Sequence, residues 1–276
     1  YTLAVTDSGC GVSFSQGADI YRRSSDILRR PLGFFAAVET KNGSFSITRA
    51  PDYYSNAEYS AQFAATNAAF YASKGGLDAG MMVCLHPSLP CEERKFIIKN
   101  NSQFPQEASL LLYFEPCLSK LEDDAAHPAF SRLFIRCKYI KGLNIITMER
   151  RSRKGEPVLH AAAGFIESMP FEYSFDREQV IKRPLGTASL IYNKPVLNGN
   201  GGVPDPCVAA RVTMNISPKS QKQFTFVITC ASTQEEAISR LITCRQQGAL
   251  SSQKAAASPL FDGGLSSRIC ASILPR

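Results

Sequence analysis

At 276 residues, 44% of them hydrophobic, the chain can bury a substantial core as one large domain or two small ones, and a folded, soluble protein is expected. No run of about 18 apolar residues is present to cross a bilayer and no charged-then-apolar leader opens the chain, so no membrane association is expected. The 31 basic and 24 acidic residues give a net charge of +7, but they are dispersed along strand-like segments, which argues against nucleic acid as a partner.

The first residue is Tyr1, so the chain is expected to be a segment whose true start is missing. Nine cysteines, at positions 10, 84, 91, 117, 137, 207, 230, 244 and 270, are odd in number and never spaced C-x-x-C. They are expected as reduced, buried thiols of a cytoplasmic protein rather than as a disulfide frame or a metal cluster.

In chain order, the loop Gly9-Cys10-Gly11 lacks the G-x-x-x-x-G-K pattern of a nucleotide loop. Arg22 and Arg23 follow it, and either a strand-surface role or a role in binding hydroxyls and phosphate suits their forked guanidinium groups. Tyr21, Tyr53 and Tyr54 have faces of the kind that stack on sugar rings, but among ten tyrosines of a β-rich chain packing in the core or at an edge is the expected assignment for each. Strand-like runs then come at Phe34–Val38, Phe45–Thr48, Ala69–Ala72, Met81–Leu85 and Lys95–Ile98, separated by turn signals such as Lys41-Asn42-Gly43 and Lys74-Gly75-Gly76. Further runs are Leu110–Phe114, Leu133–Ile140, Asn144–Met148, Leu159–Ile166, Ala209–Ile216 and Gln223–Thr229.

About a dozen strands and one convincing helix before residue 248 predict a mainly β fold, a large antiparallel β-sandwich. The basic run Arg150-Arg151-Ser152-Arg153-Lys154, followed by Gly155, reads as the solvated tip of a hairpin. The stretch Asn193–Pro206 (NKPVLNGNGGVPDP) is predicted to be a surface loop, because its prolines forbid a central strand. The helix is predicted from Ser232, where Ser232-x-x-Glu235 reads as a capping box. Its apolar stripe of Ala237, Ile238, Leu241 and Ile242 is expected to pack on the sandwich edge and close the domain. Beyond Gly248 the composition shifts toward helices joined by breaks, so a sandwich over 1–247 is expected to give way to a helical linker over 248–276.

Three acidic clusters stand out: Glu92-Glu93 at a strand start, Glu122-Asp123-Asp124, and Glu235-Glu236 at a helix amino terminus, where carboxylates favour the dipole. His86, His127 and His160 are the only histidines, and none has a recognised metal-ligand spacing. Both His86-Pro87 and His127-Pro128 read as strand boundaries. Asp124 and His127 are expected to form a local hydrogen-bonded turn ahead of the strand at Leu133.

The segment Asp124–Phe134 (DAAHPAFSRLF) resembles the signature of the amino-terminal domain of the cellobiose and chitobiose phosphorylases, glycoside hydrolase family 94, and of the phosphorylase-like part of cyclic β-1,2-glucan synthases. The flanking segments agree in order and spacing. Thr6–Ser13 followed by Asp19–Arg23 resembles the family's glycine loop and arginine-bearing strand, and Cys91–Glu115 resembles its paired strands joined by an Asn-rich turn. Asp205–Arg211 through Thr233–Ala237 resembles its closing strands and helix, so most of residues 1 to 247 is covered.

The resemblance implies a supersandwich of mutarotase-like type that leads through a helical linker into an (α/α) barrel. It also implies an inverting phosphorylase, in which one carboxylic acid protonates the leaving oxygen and phosphate itself is the nucleophile, so no second carboxylate is needed as base. That acid belongs to the barrel in the resembled family, so none is transferred to this chain. Implied partners are a β-linked gluco-oligosaccharide, most nearly of the β-1,2 branch, inorganic phosphate as co-substrate with no other cofactor, the helical catalytic domain of the same polypeptide, and a second copy in a homodimer. Gly9, Gly11, Arg22, Arg23, Asp124 and His127 are the candidates for substrate-binding or dimer loops. Two rivals remain: a carbohydrate-binding or dimerisation module without chemistry of its own, and an independent mutarotase-like enzyme, which needs a histidine and an acid on one concave face.

Overall fold

The computed structural model describes residues 1–23, 32–51, 56–152, 155–156, 158–181 and 204–254. Tyr53, Tyr54, Arg153 and Lys154 lie outside these residues, as do 193–203 of the expected loop and 255–276 of the expected linker.

Among the described residues the strands form three sheets, antiparallel throughout. An amino-terminal sheet joins β1 (Thr2–Val5), β2 (Gly11–Ser15) and β3 (Ala18–Tyr21) to β11 (Pro116–Ser119). A five-stranded sheet has the order β15 (Glu172–Asp176), β16 (Pro206–Ile216), β10 (Gln106–Phe114), β4 (Phe35–Thr40), β5 (Gly43–Ser46). The largest sheet runs β12 (Ile135–Ile140), β13 (Ile145–Arg150), β14 (His160–Phe165), β17 (Gln221–Ala231), β9 (Cys91–Asn100), β8 (Leu77–Leu85), β7 (Asn67–Lys74), β6 (Glu58–Phe63). The mainly β expectation holds; the strands beyond a dozen are largely four- and five-residue pieces too short to show a period.

Alternation decides which side chains fill the core. On β10, Leu110, Leu112 and Phe114 join the main cluster between the two large sheets, whereas Leu111 and Tyr113 point the other way into a second cluster with Phe35, Cys10 and Val180. The five-stranded sheet is therefore covered on both faces. On β9, Phe96 and Ile98 face the main core, and the same parity turns Glu92 and Arg94 inward, where they are 0% and 1% exposed.

Several sequence expectations are corrected by this topology. Strands β9 and β10 are not paired: the Asn-rich turn between them carries the chain from the eight-stranded to the five-stranded sheet. Asn100 secures that crossing, its amide donating to Phe104 O at 2.7 Å and Ile216 O at 3.1 Å while its oxygen accepts from Ser102 N–H at 2.9 Å. The long helix α4 (Gln234–Lys254) begins one residue later than predicted. Thr233, not Ser232, caps it, accepting from Glu236 N–H at 3.2 Å, while Ser232 reaches Gln16. Its stripe, including Ala237, Leu241 and Cys244, lies on the outer face of the eight-stranded sheet over β14 and β17, at the middle of the sheet rather than its edge.

The acidic run that leads into the signature segment is helical. Glu122, Asp123 and Asp124 occupy the first turn of α1 (Leu121–Ala126), and Pro128 opens α2 (Pro128–Arg132), so His127-Pro128 marks a helix junction and not a strand boundary. His86-Pro87, by contrast, does follow the end of β8. A third short helix, α3 (Arg177–Val180), is capped by Asp176, which accepts from Glu178 N–H at 3.1 Å. Arg150, first of the basic run read as solvated, is buried: its Nη1 donates to Ser131 O and Oγ, both at 3.1 Å, and its guanidinium lies 5.5 Å from the Phe134 ring centroid.

Candidate functional site

The glycine loop is held by its own backbone. Thr6 N–H donates to Cys10 O at 2.8 Å and Gly9 N–H to Thr6 O at 3.0 Å, while Ala50 N–H donates to Ser8 O at 2.8 Å and docks the loop against the chain after β5. Gly9 has φ +88°, and a Cβ there would stand 2.4 Å from Thr48 Cβ, so both conformation and contact demand glycine. At Gly11 a Cβ would meet Ala4 O at 2.5 Å across the β1–β2 pair.

This loop forms one wall of an open groove of about 240 Å³. Asp7 comes from the loop, Thr48 and Arg49 from the segment after β5, and Tyr59, Ser60 and Phe63 from β6. The floor is rigid: Ile47, Thr48 and Phe70 are buried, Thr48 Oγ1 donates to Ala50 O at 2.7 Å, and Tyr59 Oη lies 3.2 Å from Ser46 Oγ. Phe63 is 56% exposed and meets Phe70 edge-to-face at 6.1 Å.

Arg22 and Asp124 come together elsewhere. Arg22, 3% exposed just past β3, donates from Nε to Asp124 Oδ2 at 2.8 Å and from Nη2 to Oδ1 at 2.7 Å. Its Nη1 lies 3.9 Å from Glu115 Oε2, and Glu115 also meets Arg177 Nε at 3.0 Å and Arg132 Nη2 at 3.5 Å. Tyr113 Oη donates to Glu115 Oε1 at 2.9 Å, and Asp205 pairs with both Arg132 and Arg177. Three arginines and three carboxylates thus alternate in one balanced network that ties β3, β10, α1, α2 and α3 together.

Burial drives the Asp124 carboxyl up, but the Arg22 hydrogen bonds and charge outweigh it and hold the group below the usual carboxylate range. Asp124 is therefore an ionised partner of arginine, ill-suited to deliver a proton near neutrality. Arg22 is the reverse case: burial lowers it, Asp124 and Glu115 raise it, and the net direction is up.

The other candidates separate from this network. Arg23 is largely exposed and donates to Asp19 at 3.0 Å, and His127 is exposed at the α1–α2 junction rather than folded onto Asp124. Tyr21 is fully buried, accepting from Arg94 Nη2 at 2.9 Å, which fits the core reading of that ring. The histidines do not converge: His86 Nδ1 accepts from Ser88 and Leu89 N–H at 3.2 Å beside Glu93, whereas His160 lies on β14 opposite Glu149. Among the described residues no group of three His, Cys, Asp or Glu side chains is placed to hold a metal ion.

A second ion pair went unread in the sequence. Arg94 Nε donates to Glu92 Oε1 at 2.9 Å inside the main core, and Arg94 lies 4.0 Å over the Phe34 ring. Tyr1 Oη donates to Glu92 Oε2 at 3.2 Å, so the pair is satisfied from several sides. The signal was present: in Cys91–Ile98, positions 92 and 94 share parity with the apolar 96 and 98.

Comparison with known proteins gives this geometry a context. The family profile described as glycosyl hydrolase 94, supersandwich domain, matches residues 1–247. The chain is 23% identical over 252 residues to cyclic beta-(1,2)-glucan synthase NdvB of Rhizobium meliloti (strain 1021), a match covering 88% of this chain and 9% of the synthase. Among solved structures it is similar to a polysaccharide lyase, with TM-score 0.51 and 9% identity over 88% of this chain and 34% of the other. It is also similar to a bacterial glucoamylase complexed with acarbose, with TM-score 0.48 and 11% identity over 88% and 33% of the two chains. At 9% identity the lyase shares the fold alone, and the chain spans about a tenth of the synthase.

Proposed function

We propose that this chain, which belongs to the glycosyl hydrolase 94 family as its supersandwich domain, is the non-catalytic part of an inverting phosphorylase that converts β-1,2-oligoglucan and phosphate into α-glucose 1-phosphate and a shortened glucan. The observation that carries the choice of linkage is the similarity over 252 residues to a cyclic β-(1,2)-glucan synthase. In this proposal the protein is a cytoplasmic homodimer, and a helical catalytic domain of the same polypeptide supplies the acid.

Inverting phosphorolysis breaks the bond from the anomeric carbon to the leaving oxygen. An acid protonates that oxygen while a phosphate oxygen attacks the opposite face, and phosphate needs no carboxylate to activate it. The role assigned to the arginine network is accordingly to hold the signature segment in place. Asp124 is committed to Arg22, and Glu115 and Asp205 are engaged by Arg132 and Arg177. This arrangement supports a positioning role for the segment and leaves the proton donor to another domain.

The test is phosphate-dependent release of glucose 1-phosphate by the complete polypeptide from β-1,2, β-1,3 and β-1,4 gluco-oligosaccharides in separate reactions. Release from the β-1,2 series is the expected result. Release from the β-1,4 series alone would move the chain to a cellobiose-type phosphorylase, and no release from any would leave a binding or dimerisation module of a synthase-like protein.

A further inference from the structure

We propose that the groove between the glycine loop and β6 is a saccharide-binding site of the supersandwich itself, distinct from the arginine network. The choice of a glucan as its ligand rests on the function proposed above; the groove as a site for a neutral polyhydroxylated ligand does not.

The chemistry of the walls selects the ligand class. Asp7 and Arg49 are exposed on the groove and carry no hydrogen bond or ion pair among the described residues, whereas most of the other described arginines are engaged. An anion would meet Asp7 and a cation would meet Arg49, whereas a sugar uses both, its hydroxyls donating to the carboxylate and accepting from the guanidinium.

The third element is Phe63, whose ring is held on Phe70 at 86° while more than half of the residue remains exposed. The negative face of such a ring attracts the polarised C–H edge of a pyranose, and its backing by a buried aromatic reduces the ordering cost of binding. Gly9 and Thr48 fix the wall and the floor relative to each other, so the polar groups and the ring are presented on a rigid frame. A small concavity with few polar groups and an aromatic flank is the ordinary form of a ligand site.

Binding of the 276-residue chain to linear β-1,2-glucan, β-1,3-glucan and cello-oligosaccharides, measured by titration calorimetry, tests this. The expected result is binding by the unaltered chain, weakened about tenfold or more in Phe63→Ala and in Arg49→Ala, with thermal midpoints unchanged because both side chains are exposed. Lys222→Ala, on the exposed start of β17, should bind as the unaltered chain does. No binding of any of the three glucans, or equal binding by Phe63→Ala and Arg49→Ala, overturns the site. Groove-dependent binding to β-1,4 chains alone would uphold the site and contradict the linkage. Loss of phosphorolysis in the complete polypeptide's assay bears on the function proposed above and leaves this result standing.

Discussion

Arg22 and Asp124, 102 residues apart, form a two-point pair, with Nε to Oδ2 at 2.8 Å and Nη2 to Oδ1 at 2.7 Å. The pair anchors the signature segment to the amino-terminal sheet. Asp124→Ala strands a guanidinium that is 3% exposed, and a loss of about 3–5 kcal/mol in urea unfolding is expected. Arg22→Lys keeps the charge but not the fork, so a smaller loss is expected.

The same pair gives the stability curve an acid limb. Because the folded Asp124 titrates below its ordinary range, its contribution is fully present above the unfolded carboxylate value and is lost as pH falls through the lower folded one. Asp124→Asn is expected to lower stability at neutral pH and to flatten the fall below about pH 4. An unchanged acid limb in chemical denaturation would contradict this assignment.

The core pair Glu92 and Arg94 behaves as a unit. Arg94→Met leaves a carboxylate in the main core and is expected to cost about 3–5 kcal/mol. Adding Glu92→Gln removes the unpaired charge, so the double variant should be less destabilised than the two single losses together. A double-mutant cycle in urea measures the coupling.

At Gly9, Ala adds a Cβ at positive φ and against Thr48. The left-handed backbone alone costs about 1–2 kcal/mol, and displacement of Thr48 adds to it. A fall of several degrees in Tm is expected, about 2–4 °C for each kcal/mol in a domain of this size.

Of the eight described cysteines, all free, Cys84 alone is not buried. Burial pushes its thiol up, against the lowering effect of Lys95 and Arg94 and with a smaller rise from Glu93, so alkylation should be slow at neutral pH and accelerate as pH rises. Peptide mapping after brief iodoacetamide treatment is expected to show Cys84 labelled before the other described thiols.

How much of this was legible depended on period and length. Runs such as Leu110–Phe114 and Gln223–Thr229 are apolar enough to declare themselves, and they are the central strands β10 and β17. The four-residue strands β1, β3 and β11 are too short for an alternation to be read. Glu92 was rightly placed at a strand start, but its pairing with Arg94 inside the core was not read, because a charge on the inner face looks like a break in the pattern until its partner is known.

The candidate site was legible by residue type and not by assembly. The glycine loop and Arg22 stood out in the sequence, but the loop contributes Asp7 to a groove and Arg22 belongs to a network made with residues at positions 115, 124, 132, 177 and 205. Contacts across such separations carry no local signal. The acidic run that leads into the signature segment and Pro128 within it did carry one, for helices α1 and α2.

The most direct test of the proposed function is the phosphate dependence of glucose 1-phosphate formation from β-1,2-oligoglucan by the complete polypeptide. Formation that requires phosphate, with product of the α configuration, is expected. Glucan cleavage that proceeds equally without phosphate, or product of the β configuration, would contradict an inverting phosphorylase.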